Sequence, residues 1–184
     1  MKIEELAIEG LWLITSPVHQ DNRGFFREWF KSSEIESKIG RKFDVQQANI
    51  SSSSIDVIRG IHYSLGENGQ GKLVTCVSGS IWDVVVDLRS ESPTFKQWVG
   101  VALDSKNGQA LLVSEGLGHG FVSLEDNSLV AYLVTSPYSP SEEHGVNPLD
   151  PDLSISWPTE NPKISIKDKN AQSLSTLEKA GLLP

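Results

Sequence analysis

What most restricts the fold of this chain is the rhythm of its apolar residues. Short runs rich in Val, Ile, Leu and aromatics recur along nearly the whole sequence, broken by Gly, Pro, Asn or Ser at close intervals. Runs of that length suit strands and are too short for helices, so the spacing predicts an all-β sandwich or barrel. Candidate strands are Leu11–Val18, Phe25–Phe30, Phe43–Ile50, Val57–Tyr63, Lys72–Val77, Ile81–Leu88, Trp98–Leu103, Ala110–Val113, His119–Leu124 and Leu129–Thr135. Helical patterning is confined to Ser32–Ile39, which opens on serine cap candidates and stops at Gly40, and Ser173–Ala180, which stops at Gly181. The run Ser51–Ser54 reads as a strand-to-strand loop.

The clearest local signal is Lys72–Val77 and Ser80–Leu88 around Ser78-Gly79, which predicts a tight hairpin. A two-residue loop would set Val77 opposite Ser80, Val74 opposite Asp83 and Lys72 opposite Val85. Side chains alternate with period two, so Trp82, Val84, Val86 and Leu88 share one apolar face. Lys72, Val74, Cys76, Ile81, Asp83, Val85 and Asp87 share a mixed face. In a closed β fold, such a face either meets water or lines a ligand cavity.

With 184 residues the chain suits one domain, residues 1–184, with a barrel core at about 40–136 and the N-terminal strands and C-terminal segment packed on it. No apolar run approaches the roughly 20 residues of a membrane-spanning helix. The opening MKIEELAIEG carries acids where a secretion signal needs an apolar core. The single cysteine, Cys76, allows no internal disulfide and suits a reducing cytoplasm, the expected location. Sixteen Lys and Arg against 24 Asp and Glu leave a net charge of −8, which disfavours nucleic acid or an anionic membrane as partner. A locally basic pocket for a small anion remains compatible with that charge.

Four histidines, His19, His62, His119 and His144, raise the question of metal binding. No His-x-His pair exists and no two lie at strand-compatible spacing, so a metal site has little support. Buried histidine without metal suggests proton transfer, because imidazole titrates near neutrality and can take up and return a proton. A carboxylate on one ring nitrogen would fix the tautomer, and a tyrosine on the opposite wall could donate the second proton. A lone histidine in an apolar strand is more often a satisfied core residue. No nucleophile elbow, Walker loop or Gly-x-Gly-x-x-Gly sequence appears. Arg23, Arg59 and Lys72 sit beside glycines and apolar residues, which makes them candidate anion ligands or turn salt bridges.

In series, several segments resemble the dTDP-4-dehydrorhamnose 3,5-epimerase family. They are DNRGFFREWF (Asp21–Phe30), QQANISSS (Gln46–Ser53), VIRGIHYS (Val57–Ser64) and GKLVTCVSGSIWDVVVDLRSESPTF (Gly71–Phe95). The order continues with EGLGHGFVSLED (Glu115–Asp126), AYLVTSPYSPSEEHG (Ala131–Gly145), LDPDLSISWP (Leu149–Pro158) and ISIKD (Ile164–Asp168). The resemblance implies a cupin-type jelly-roll barrel, usually a homodimer, using no metal and no organic cofactor. It implies a dTDP-4-keto-6-deoxysugar substrate, inverted at C3 and C5 through an enolate to give dTDP-4-dehydro-L-rhamnose.

By the same resemblance His62 is the base, Asp168 its orienting carboxylate and Tyr132 the acid. Lys72 and His119 would lie near the keto oxygen or the sugar. Arg23, Glu28, Gln47, Asn49, Arg59, Glu143 and Lys167 match substrate-contacting positions, and Tyr138 matches a residue stacking on thymine. Arg59 and His62 differ by three positions, so a regular strand would send them to opposite faces, and the chain is expected to bulge near Gly60. Ser64, Leu133 and the Ser114–Gly118 stretch depart from the commoner family pattern. Three rival readings follow: a single-centre epimerase for another deoxysugar, a 3,4-ketoisomerase on a similar barrel, and a non-catalytic nucleotide-sugar binding barrel.

Overall fold

The computed structural model describes residues 1–66 and 69–184. Strands β1 (Lys2–Glu5), β2 (Leu11–Thr15), β3 (His19–Asp21) and β4 (Gly24–Phe26) precede helix α1 (Ser32–Ile39). Then follow β5 (Gln47–Ser53), β6 (Val57–Ser64), β7 (Lys72–Ser78), β8 (Ser80–Asp87), β9 (Trp98–Asp104), β10 (Gln109–Val113), β11 (Leu117–Ser123) and β12 (Ser128–Val134). The chain ends with β13 (Glu143–Gly145), β14 (Lys163–Ile164), α2 (Ile166–Lys169) and α3 (Leu174–Ala180). One sheet has the order β1-β2-β10-β7-β12-β5 and the other β13-β6-β11-β8-β9, with β14 pairing parallel to β6. The two sheets face each other as the walls of an all-β, cupin-type jelly-roll barrel.

The interior holds Val74, Cys76, Leu111 and Val130 from the first sheet against Ile81, Val85, Leu103 and Phe121 from the second. Each fully buried Ile, Leu or Val contributes about 1.5–3 kcal/mol. Outside the second sheet, Val84, Val86 and Leu88 pack with Leu153, Leu174 and Leu177 of the C-terminal segment. Outside the first, Leu73 and Leu112 pack with Ile35 of α1 and Phe43.

The expected hairpin between Lys72–Val77 and Ser80–Leu88 does not form. Both edges of β7 are taken, by β10 and β12, and both edges of β8 by β11 and β9. The Ser78-Gly79 link instead carries the chain from one sheet to the other. Gly79 has φ +74°, and a Cβ there would meet Ser128 Oγ at 2.5 Å. The alternation of side chains nevertheless holds, since Lys72, Val74 and Cys76 face Ile81, Asp83 and Val85 across the interior.

Other boundaries shift for local reasons. Ser51–Ser53 belong to β5 and not to a loop, because they pair with Val130, Leu129 and Ser128 of β12. The strand expected at Phe25–Phe30 stops at Phe26, after which Arg27 turns to donate to Thr75 Oγ1 at 3.0 Å. Helix α1 spans the expected residues, but Lys31 is its N-cap, and no serine side chain caps it. Helix α3 is capped as its sequence suggests, with the Ser173 side chain accepting from Thr176 N.

Candidate active site

A cavity of about 750 Å³ opens between the sheets. The first sheet supplies Gln47, Asn49, Lys72 and Tyr132, and the second supplies Arg59, His62 and His119. Tyr138, Glu143, Lys167 and Asp168 complete the ring of expected residues around it. Tyr132 and His62 therefore belong to opposite walls of one cavity.

His62 reaches this cavity because β6 bulges. Two residues of β11, His119 and Phe121, pair with His62 and Arg59, which are three apart on β6. The extra residue falls at Gly60-Ile61, where Gly60 has φ +120°. A Cβ on Gly60 would come 2.5 Å from Gly120 Cα and 2.7 Å from His119 O, so only glycine fits against β11. The bulge turns Arg59 and His62 to the same side, as the sequence required.

His62 Nε2 lies 2.7 Å from Asp168 Oδ1. Asp168 sits in α2, whose N-cap Ser165 accepts a hydrogen bond from Asp168 N at 3.0 Å and so sets the helical turn. Burial pushes the Asp168 carboxyl up. The hydrogen bond and charge of His62, with hydrogen bonds from Ser165 and the Gly60 backbone, outweigh it and hold the group below the usual carboxylate range. An ionised carboxylate only accepts, so Nε2 is the donor of this pair and Nδ1 is the ring nitrogen left for other contacts.

Tyr132 stands on β12, where Asn49 and Val74 are its ladder neighbours. Burial raises its phenol; Arg59 lowers it in part and Glu143 adds to the rise. The phenol is therefore fully protonated at neutral pH and can donate. Lys72 is buried, and its Nζ has no hydrogen-bond partner among the described residues. Burial pushes its ammonium down, while Glu143 and Glu115 pull it back. A buried cation facing the cavity is suited to an oxygen on which negative charge develops.

Arg59 ties the two sheets at the cavity edge, with Nε donating to Ser53 Oγ at 3.0 Å and Nη2 to Ser52 O at 3.0 Å. Gln47 Nε2 donates to Asn49 Oδ1 at 2.7 Å, and its Oε1 accepts from Tyr138 N at 3.1 Å. Tyr138 stays exposed at the mouth. Two expected residues are not brought here. Arg23 lies in the exposed β3–β4 hairpin, bound to Asp21 at 2.6 Å, and exposed Glu28 pairs with Lys31 at 3.6 Å. Among the described residues that hairpin pairs only with itself, and it leaves Phe25 and Phe26 open to solvent.

Sequence reasoning assigned no role to four contributors. Asp83 accepts from His119 Nε2 through both oxygens; its only clue was an acid inside the apolar run Ile81–Val86. Ser165 needed the prediction of α2, which is too short for helical periodicity. Gln70 and Ser51 line the cavity without any chemical motif.

The family model described as dTDP-4-dehydrorhamnose 3,5-epimerase matches residues 5–176. The chain is 46% identical over 184 residues to a dTDP-4-dehydrorhamnose 3-epimerase of Streptomyces niveus, covering all of this chain and 89% of that protein. It is also 46% identical to a dTDP-4-dehydrorhamnose 3,5-epimerase of Mycolicibacterium smegmatis, over 186 residues, all of this chain and 91% of the relative. Among solved structures, a 3,5-epimerase from Legionella pneumophila in complex with dTDP-4-keto-L-rhamnose superposes with a TM-score of 0.93 at 40% identity. That match covers 100% of this chain and 97% of the other.

Proposed function

Since this chain belongs to the dTDP-4-dehydrorhamnose 3,5-epimerase family, we propose that it inverts both C3 and C5 of dTDP-4-dehydro-6-deoxy-D-glucose, giving dTDP-4-dehydro-L-rhamnose. The ketone at C4 acidifies the neighbouring C–H bonds, because the electron pair left behind is delocalised into an enolate. His62 removes the proton from one face of the sugar, and Asp168 holds the ring and stabilises the imidazolium. Lys72 and His119 face the charge that gathers on the C4 oxygen. Tyr132 returns a proton from the other face, which inverts the centre.

The observation that carries this reading is the placement of His62 and Tyr132 on opposite walls of a single cavity. Arg59, Lys167, Gln47 and Asn49 would hold the diphosphate and nucleoside, with Tyr138 stacking on thymine at the mouth. Arg23 and Glu28 lie outside this chain's cavity. They would serve a second copy, with the exposed Phe25 and Phe26 anchoring the hairpin in a homodimer. The chain would act as one domain in the cytoplasm; among the described residues no helix is long and apolar enough to cross a membrane.

The test is the reaction in D₂O, with deuterium counted at C3 and C5 by NMR. Label at both carbons is expected, and label at one carbon would sink the double inversion. His62→Asn should cut turnover by at least about 100-fold while dTDP binding changes little. Undiminished exchange in that variant would remove His62 as the base.

A further inference from the structure

The carboxylates that line the main cavity lie beside one end of β6. Asp168 is bonded to His62, and Glu143 of β13 pairs with Ser64, two residues beyond His62. Towards the other end of β6 the lining residues are Val57, Ile58 and Arg59, with Lys163 and Ile164 of β14 beside them. Lys163 pairs with Val57, and paired residues on neighbouring strands share a face. Val57 and Arg59 are two apart on β6 and share that face too, which sets Lys163 and Arg59 near one another on the cavity wall. Asp56, the acid next to Val57, accepts from Thr159 Oγ1 at 2.7 Å and does not line the cavity.

Both cations reach to the segment that joins β5 to β6. Arg59 holds Ser53 Oγ and Ser52 O through Nε and Nη2, and Lys163 Nζ donates to Ile55 O at 2.8 Å. Neither Arg59 bond uses Nη1, and an ammonium has two donors left after one bond. On β5 the residues that line the cavity are Gln47, Asn49 and Ser51, so Ser51 stands between Asn49 and the Ser53 that orients Arg59. Its Oγ is buried and has no hydrogen-bond partner among the described residues. A buried hydroxyl is unfavourable when unpaired, so one that faces a cavity is suited to a group brought in from outside.

We infer that Ser51 and Lys163 complete, with Arg59, a subsite for the diphosphate of the nucleotide sugar. Ser51 Oγ, Arg59 Nη1 and Lys163 Nζ each donate to a phosphate oxygen. A diphosphate needs several donors and local positive charge, which a chain of net charge −8 must concentrate at one place. Held at this corner, the phosphates stay clear of Glu143 and Asp168, and the attached sugar extends along β6 to His62. The inference rests on the nucleotide-sugar reading and adds two ligands to it.

Ser51→Ala and Lys163→Met are compared with wild type by calorimetry against dTDP and against thymidine, which has no phosphate. Ser51→Ala should weaken dTDP binding by about tenfold, because a hydroxyl on a phosphate oxygen makes a charge-assisted hydrogen bond. Lys163→Met removes a more exposed charge and should weaken it by about threefold, with a shallower dependence of dTDP affinity on salt. Lys163→Arg, which keeps the charge, should restore both the affinity and the salt dependence. Thymidine affinity should not change in any of the three. Wild-type dTDP affinity in either Ser51→Ala or Lys163→Met overturns the subsite and leaves the epimerase reading, judged by deuterium exchange, intact. Equal losses for thymidine and dTDP would place the two residues on the nucleoside and overturn it as well. A wild-type protein that binds dTDP no better than thymidine would instead overturn the nucleotide-sugar reading on which the inference depends.

Discussion

Both carboxylate oxygens of Asp83 accept from Nε2 of His119, at 2.9 and 3.0 Å, and they have no other partner among the described residues. The pair sits between two sheet neighbours, since Asp83 is opposite Phe121 and His119 opposite Val85 on β8 and β11. It repeats, on the next strand, the imidazole–carboxylate arrangement of His62 and Asp168. An imidazole bound this way at Nε2 has its Nδ1 side left for other contacts.

Asp83→Asn should lower kcat by about 10- to 100-fold, the loss typical when a functional histidine loses its orienting partner. Stability should move the other way. Burial raises the Asp83 carboxyl, and the charge and hydrogen bond of His119 bring it back only in part. The folded state therefore holds the Asp83 proton more tightly than the unfolded chain, and ionisation works against folding. The variant's relative stability should grow as pH rises above the unfolded carboxylate range and then level off. Urea denaturation from pH 3 to 7 checks this, and a variant less stable at pH 7 than at pH 3, relative to wild type, would contradict it.

Lys72→Met removes a buried ammonium that has no hydrogen-bond partner among the described residues. Loss of one donor to a developing oxyanion costs about 100- to 1,000-fold in kcat. Binding of dTDP, which lacks the sugar, should be unchanged, and the fold should be no less stable because an unpaired buried charge has been removed. Steady-state kinetics beside dTDP calorimetry separates these effects; equal losses in both would place Lys72 on the nucleotide instead.

Gly60→Ala tests the bulge. The added Cβ would press on the β11 backbone at a φ that side chains avoid, costing about 2–4 kcal/mol. Relief by straightening β6 would turn His62 or Arg59 out of the cavity. The expected result is a lowered melting temperature together with loss of activity. An alanine variant with wild-type stability would show that the bulge does not need glycine.

Asp87 offers an acid-stability signature. Burial alone would raise its carboxyl, but hydrogen bonds from Arg89, Ser92 and Thr94 hold it at about 2. A carboxylate depressed in the folded state stabilises the protein above its unfolded value of 3.8, and that contribution is lost as pH falls from there through about 2. Asp87→Asn should cost about 2–3 kcal/mol at pH 7 and flatten the acid limb of the stability curve. Denaturant melts at several pH values between 2 and 6 read both quantities.

Much of the barrel could be read from the chain because side-chain alternation is local. The period of two sorted Trp82, Val84 and Val86 from Ile81, Asp83 and Val85 before any partner strand was known. The three-residue offset of Arg59 and His62 likewise demanded an irregular strand at Gly60. The residues that resemble a nucleotide-sugar epimerase named most of the cavity lining, including Asp168, which is 106 residues from His62.

Strand partnership was decided only in three dimensions. Lys72–Ser78 and Ser80–Asp87 carry every local mark of a hairpin, yet β10, β12, β11 and β9 occupy their edges, and a local pattern holds no information about such competition. The same limit hid the Asp83–His119 pair, made by side chains 36 residues apart, and the exclusion of Arg23 and Glu28 from their own chain's cavity. Which face a residue takes follows from its own backbone, whereas which residues meet depends on how all the sheet edges are filled at once.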